Sequence, residues 1–393
     1  MANRGILRGV VETRGGTVVA QREFSSVQAL RAIAALSVVA WHSSLTIKNL
    51  TYTYWHPEQY PGVWPWWSLP FSHLYAGVDI FFVISGFIMT MIASELDRGG
   101  ARRFFIDRLV RIVPPYWFFT AAVMIAYLLD PGFNLGKFGP DTLGNLERIA
   151  SSLFFVPQDS PVLPVGWTLV HEMLFYGVTS VAIWFGLARR LPMVLAVIVA
   201  IALAQFFTGT AVGNGVLFSP FYIEFLFGAL TYTHIDAISH RRPAMQIALG
   251  TALFFATSIL LSYGLLPELG RFVAFGGVGV LLISGLTGLE PQLRREGSSF
   301  FDLLVRIGGA SYTLYLSHWL VLSAAGKVGA MAFKSAPLFV VIVWQMSGIV
   351  LAVAFSLIFY RTVELPVHRW LKSRMGRSVR AAGTGGEQGA IAN

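Results

Sequence analysis

Residues 27–42 read Val27-Gln-Ala-Leu-Arg31-Ala-Ile-Ala-Ala-Leu-Ser-Val-Val-Ala-Trp-His42, an apolar run holding one fixed cation and one imidazole. Eleven residues separate Arg31 from His42. At about 100° per residue that is roughly 1100°, within about 20° of three full turns, so the two side chains share one helix face. Along the axis they stand about 16 Å apart at 1.5 Å per residue. A fixed cation inside a spanning helix is costly and usually functional. A titratable imidazole on the same stripe adds chemistry to ion pairing.

The surrounding composition says what kind of helix this is. Of 393 residues, 55% are hydrophobic and only 12% charged, and the mean hydropathy is +0.63. Soluble domains carry about 25% charged residues. Several apolar runs exceed the ~18 residues that a crossing needs. They are continuous rather than alternating, which excludes a β-barrel. The expected fold class is all-α, a polytopic integral membrane protein with about ten transmembrane helices. The expected helices are roughly 26–46, 72–94, 112–129, 166–187, 190–208, 215–235, 245–263, 268–287, 307–328 and 337–361. Between the second and third, Ala101 to Arg111 reads as a separate basic amphipathic piece at the interface. The domain reading is a polar extension over 1–24, a transmembrane domain over 25–370, and a basic, then disordered tail over 371–393. The extension carries Arg4, Arg8, Arg14 and Arg22 and lacks the features of a signal peptide. No role is assigned to it. Cysteine is absent, which excludes disulfides and a cysteine acyl carrier.

The net charge of +9 does not point to nucleic acid, because the basic residues follow topology. With the N-terminus inside, 22 Lys and Arg fall in inner segments and 6 in outer ones, with Arg31 within a span. That bias places both termini in the cytoplasm and brings the basic face against anionic lipid. The expected location is a membrane crossed many times, with both termini inside. The outer loop 47–71 is rich in Tyr and Trp (Tyr52, Tyr54, Trp55, Tyr60, Trp64, Trp66, Trp67). It reads as an interfacial aromatic belt or as a platform for sugar rings.

On this topology the polar residues form a gradient. Arg31 lies near the inner face, above Arg102, Arg103, Arg108 and Arg111. His42, Asp79, Glu172 and Glu224 lie in the outer half, and Ser311 and His318 share one face of a later helix. Acyl transfer across a membrane would use such an order. Arginines hold a phosphorylated donor, a histidine takes a proton from a hydroxyl, and a carboxylate orients the imidazole. Each residue also has a plainer role open to it: ion pairing for Arg31, interfacial anchoring for His42, interhelical hydrogen bonding for Asp79 and Glu172. His171 points about 100° away from its neighbour Glu172 on a helix and reads as structural.

Seven segments in order carry a resemblance. They are Arg31-x10-His42; Gly77-Val-Asp-Ile-Phe-Phe-Val-Ile-Ser-Gly-Phe87; Phe105-x-x-Arg108-x-x-Arg111-Ile-x-Pro114-x-Tyr116; and Trp167-Thr-Leu-x-x-Glu172-x-x-Phe175-Tyr176. Glu224-Phe-Leu-Phe-Gly228, Ser311-Tyr-x-x-Tyr315-Leu-x-His318 and Glu364-x-Pro366 complete the series. Over about residues 25–370 the chain resembles the bacterial membrane acyltransferase-3 family, which O-acylates sugars of polysaccharides, Nod factors and some antibiotics. It looks most like the branch linked to exopolysaccharide production. Its Val27-Gln-Ala-Leu-Arg-Ala-Ile departs from the Leu-Asp-Gly-Leu-Arg-Gly form common in the family.

The resemblance implies acetyl-CoA as a cytoplasmic acyl-donor substrate, with no cofactor bound permanently and no metal. It implies essential roles for Arg31 and His42. The expected catalytic residues are His42, Asp79 and Glu172. The expected donor-side residues are Arg31, Arg108, Arg111 and Tyr116, with Ser311 and His318 lining the passage. The expected partners are a sugar or glycan acceptor, the lipid bilayer and polysaccharide biosynthesis machinery, without nucleic acid. The rival readings are a polysaccharide or small-molecule transporter or flippase, and an acyltransferase acting on a lipid or antibiotic acceptor. A transporter would show a repeat, broken helices and no dependence on CoA.

Overall fold

The computed structural model describes residues 7–11, 19–54, 72–129, 142–209, 215–332 and 338–384. The aromatic stretch 55–71 and the tail 385–393 lie outside the described residues. The helices are α1 (Ser25–Tyr54), α2 (Gly77–Ser94), α3 (Ala101–Leu129), α4 (Thr142–Leu153), α5 (Trp167–Trp184), α6 (Leu191–Thr208), α7 (Tyr222–Ile238), α8 (Pro243–Ser262), α9 (Glu268–Glu296), α10 (Ser299–Gly309), α11 (Ser311–Ala332), α12 (Leu338–Phe359) and α13 (Leu365–Thr384). Each of the ten expected helices has a counterpart among them. The N-terminal extension adds what the all-α reading omitted: β1 (Leu7–Val11) and β2 (Val19–Glu23) pair antiparallel, with Leu7 opposite Glu23. Its valines suit paired strands.

Among the described residues, six helical segments are long and apolar enough to cross a membrane. They are Leu74–Ser94, Arg98–Leu129, Ala188–Thr208, Pro243–Ser262, Glu268–Glu296 and Ile342–Met375. The other four expected crossings are α1, α5, α7 and α11. They carry Arg31 and His42, Glu172, Glu224, and Ser311 and His318 respectively. Of these, α7 has only 17 residues.

Helix α2 is the hub. Of its apolar window 78% is buried, against 22% for the segments around α6, α8 and α12. It packs against α7, α9, α1 and α5. Its approach to α7 is set by two glycines: a Cβ on Gly86 would run into the Phe225 carbonyl, and one on Gly228 into the Val83 carbonyl. Small residues let helices meet this closely where water gives no hydrophobic drive. Phe82, Phe175 and Phe225 fill the space beside that contact. The start of α1 is fixed by α9. Glu290 accepts the Ser25 and Ser26 backbone N–H groups at 2.9 and 3.4 Å and the Ser26 hydroxyl at 2.6 Å. A carboxylate from another helix thus supplies the N-terminal cap.

Two expectations change here. Ala101 to Arg111 is not a separate interfacial piece, for α3 runs unbroken through Pro114 and Pro115. The prolines remove two N–H donors but keep a helical φ, leaving the Val110 and Arg111 carbonyls without their usual partners. Between the expected helices 112–129 and 166–187, where the sequence suggests no helix, lies α4. Tyr116 and Trp117 of α3 hold its C-terminal end, donating at 3.0 Å to the Ser152 and Leu153 carbonyls.

Candidate functional site

Three cationic side chains converge between α1, α3, α5 and α11. Arg31, Arg108 and Arg111 line a cavity of about 80 Å³ with Ser85, Glu172, Tyr176, Ser311 and Tyr315. Arg108 and Arg111 sit three residues apart and so share a face of α3. Glu172 answers them from α5, accepting the Ser85 hydroxyl at 3.1 Å and the Tyr176 hydroxyl. Arg108 also lies over the Phe104 ring, 5.8 Å from its centroid. Arg108 Nε and Ser311 Oγ are buried without a hydrogen-bond partner among the described residues. Buried polar atoms are ordinarily paired, and in a cavity with three guanidiniums they are oriented for an anionic, hydrogen-bonding guest.

Arg111 also lines a second cavity of about 350 Å³, with Gln28, Pro114, Pro115, Tyr360, Glu364 and His368. Two backbone irregularities face this space. One is the proline pair of α3, and the other is a π-helical turn at Tyr360–Glu364 between α12 and α13. Irregular backbone at membrane depth is tolerated where it lines a cavity, and π-turns gather at functional sites. Glu364 accepts the Thr313 hydroxyl from α11, which ties this turn to the Ser311 end of that helix.

The histidines stand beyond the opposite wall of the first cavity. Tyr315 lines the cavity, and its ring lies 5.8 Å from that of His318. His318 Nε2 lies 3.3 Å from His42 Nδ1. His42 is half-buried and His318 fully buried. Tyr315 is itself held by Thr168 at 2.9 Å and by the Val165 carbonyl at 3.3 Å.

A third cluster lies near the N-terminal end of α2. Asp79, fully buried, takes both its oxygens to the Arg271 guanidinium, at 2.8 and 2.9 Å. Tyr75, Phe221 and Phe272 surround that guanidinium at 5.4, 5.5 and 4.7 Å. Glu224, also fully buried, neighbours Asp79.

The expected site residues therefore fall into separate places. Arg31, Arg108, Arg111, Glu172 and Ser311 come together. His42 meets His318, which the sequence reading placed only along a passage. Asp79 goes to Arg271, and Tyr116 goes to the Ser152 carbonyl, where it holds α4 rather than facing the arginines. Among the described residues no cluster of His, Asp or Glu could hold a metal ion. Sequence reasoning missed Arg271, which it counted as an outer-loop charge. The available signal was depth, since a buried Asp79 needs a cation and Arg271 lies in the first turn of α9 at the same level. It also missed Gln28, Tyr360 and His368 around the second cavity, for a π-turn has no sequence signature of its own.

Comparison with known proteins places this arrangement. The chain is 34% identical over 314 residues to the exopolysaccharide production protein ExoZ of Rhizobium meliloti (strain 1021), covering 76% of this chain and 91% of that protein. It is 28% identical over 283 residues to nodulation protein 10 of Rhizobium leguminosarum bv. viciae, covering 64% and 73%. It is 24% identical over 277 residues to the acyltransferase MdmB of Streptomyces mycarofaciens, covering 62% and 67%. No solved structure matches the chain. The family model described as an acyltransferase domain matches residues 24–361, so that the first cavity, the histidine pair and the Asp79 cluster lie on matched residues, while Glu364 and His368 of the second cavity lie beyond them. The chain belongs to the acyltransferase-3 family.

Proposed function

We propose that this protein is a membrane O-acyltransferase that moves an acetyl group from cytoplasmic acetyl-CoA to a sugar hydroxyl of an exopolysaccharide. The observation that carries the reading is the meeting of Arg31, Arg108 and Arg111 at one cavity whose far wall, Tyr315, abuts the His42–His318 pair. Guanidiniums recognise phosphate by paired, charge-assisted hydrogen bonds. The donor's phosphates are held at the arginines, and its thioester is directed toward His42, about 16 Å along α1 from Arg31. His42 acts as general base on the acceptor hydroxyl. Glu172 balances the arginine charge, and Ser311 supplies a further hydrogen bond to the donor. The exopolysaccharide acceptor is supported by the likeness to ExoZ. In this reading all ten expected helices cross an inner membrane, with both termini in the cytoplasm.

The test is acetyl-group NMR of surface and secreted polysaccharides from cells with the gene deleted, restored, and restored as His42→Ala. Loss of one O-acetyl resonance, regained only with the wild type, supports the reading and identifies the acceptor. Unchanged acetylation with altered polysaccharide export would replace it with the transporter reading.

A further inference from the structure

We infer that His318 is the residue that positions His42, fixing Nδ1 of His42 as the proton-bearing nitrogen and Nε2 as the one that receives the acceptor's proton. The inference rests on the acyl-transfer reading and adds a named residue to the same site. It follows from which atoms can donate. Nδ1 of His42 lies 3.0 Å from the Val38 carbonyl, and Nδ1 of His318 lies 3.1 Å from the Leu314 carbonyl. A carbonyl oxygen only accepts, so both Nδ1 atoms carry hydrogen. In a neutral ring the other nitrogen is then an acceptor. Nε2 of His318 faces Nδ1 of His42 at 3.3 Å, so the hydrogen bond runs in one direction. The single Nδ1–H of His42 is shared between the Val38 carbonyl and Nε2 of His318, and His318 donates from its own Nδ1 to the Leu314 carbonyl. The reverse polarity would turn a bare Nδ1 of His42 onto the Val38 carbonyl, lone pair against lone pair.

The geometry around the pair resists rotation. The two rings meet edge to face, with centroids 4.8 Å apart and planes at 62°. Trp41 meets His42 edge-on from its other side, at 4.8 Å and 87°. His318 is fully buried, as are Leu314 and Ser317 on the same helix. In other base–orienter pairs the partner is a carboxylate. Here it is a neutral ring, which fixes direction without adding a buried anion. When the acceptor oxygen bonds to the thioester carbon, its proton passes to Nε2 of His42. The cationic ring then keeps a neutral base against its Nδ1–H. As the C–S bond breaks, the departing thiolate takes the proton from Nε2, and both histidines return to their starting forms.

Two measurements on the full chain test this. The first is ring ¹⁵N NMR of histidine-labelled protein in micelles, with resonances assigned by His42→Gln and His318→Gln. Both rings are expected in the neutral Nδ1–H form, and either ring in the Nε2–H form overturns the inference. The second measures acetyl transfer to endogenous acceptor in membrane vesicles supplied with labelled acetyl-CoA. The amide oxygen of His318→Gln can accept the same N–H, so this variant is expected to keep kcat within about tenfold. His318→Leu is expected to lose about 100-fold, the low end of a general-base contribution, with KM for acetyl-CoA unchanged. Equal losses in the two variants, or a rise in KM in place of the fall in kcat, would assign His318 to packing or donor binding and overturn the inference. If wild-type vesicles transferred no acetyl while both rings held the Nδ1–H form, the acyl-transfer reading would fail and the pairing would stand.

Discussion

Asp79 and Arg271 are 192 residues apart in sequence, yet their side chains meet in the interior at 2.8 Å. Glu224 is buried alongside, and its two oxygens have no hydrogen-bond partner among the described residues, so the guanidinium's bonds go to Asp79. Removing one partner of a buried pair leaves an uncompensated charge, at a cost of about 3–5 kcal/mol, whereas replacing both by apolar groups is often nearly neutral. Arg271→Ala is therefore expected to lower the melting temperature in detergent sharply, and Arg271→Met combined with Asp79→Leu to recover most of the loss. If the double variant melted no higher than the single one, the pair would not be the reason for the instability. Arg108 calls for a different expectation. Its fork faces an open cavity, so Arg108→Lys keeps the charge and loses the paired donors. KM for acetyl-CoA should rise about tenfold with little change in kcat, the signature of lost uniform binding. At this scale the sequence exposed the participants better than their partners. Helical spacing put Arg31 with His42 and Ser311 with His318 on common faces. It could not tell that His42 would meet His318 and Asp79 would meet Arg271, because those pairings depend on how helices rotate against each other.

At the scale of elements, the family-like segments describe contacts between helices as much as chemistry. Gly86 of α2 and Gly228 of α7 mark one close approach, and Glu224 lies one helical turn before Gly228. A methyl group at 228 would meet the Val83 carbonyl, a backbone atom that cannot rotate away. Gly228→Ala is expected to destabilise the protein by about 1–3 kcal/mol, as overpacking does. It should also displace Glu224 from Asp79. Gly177 in α5 is the control, since nothing lies within 4 Å of a Cβ there. Gly177→Ala should be neutral or stabilising by about 0.5–1 kcal/mol, through helix propensity alone. Thermal unfolding of the two variants side by side decides the matter. Equal effects would mean that the α2–α7 contact is not tightly packed. The sequence placed α2 closely because its apolar run is long, but it began α7 at 215, seven residues before the Tyr222 at which the helix starts. It misjudged α3, where the basic run from Ala101 to Arg111 read as a separate interfacial piece although the helix continues from it through Pro114 and Pro115. Proline is a reliable stop signal in water, but a helix in a membrane can keep its course when cavities and neighbours receive the freed carbonyls.

At the scale of the molecule, the number of crossings connects fold to function. The helices that fall short by apolar length are α1, α5, α7 and α11, and they are the ones that carry Arg31, His42, Glu172, Glu224 and His318. A crossing helix can hold such residues when they face the bundle interior, where cavities and paired charges replace water. By length and composition these four helices stand outside the six candidate spans among the described residues. The peripheral helices α6 and α8 keep their apolar faces outward, as their low burial requires. If α5 crosses, Asp159 before it and Leu187 after it lie on opposite sides. Both are exposed, and the chain has no cysteine of its own. Single variants Asp159→Cys, Leu187→Cys and Ser373→Cys can therefore be probed in intact cells with a membrane-impermeant maleimide. Leu187→Cys and Ser373→Cys are expected to react only after the membrane is opened, and Asp159→Cys before it. If Asp159→Cys and Leu187→Cys reacted from the same side, α5 would not cross. Glu172 would then lie against a surface instead of between two compartments, and the path proposed from the arginines to the histidine pair would have to be redrawn.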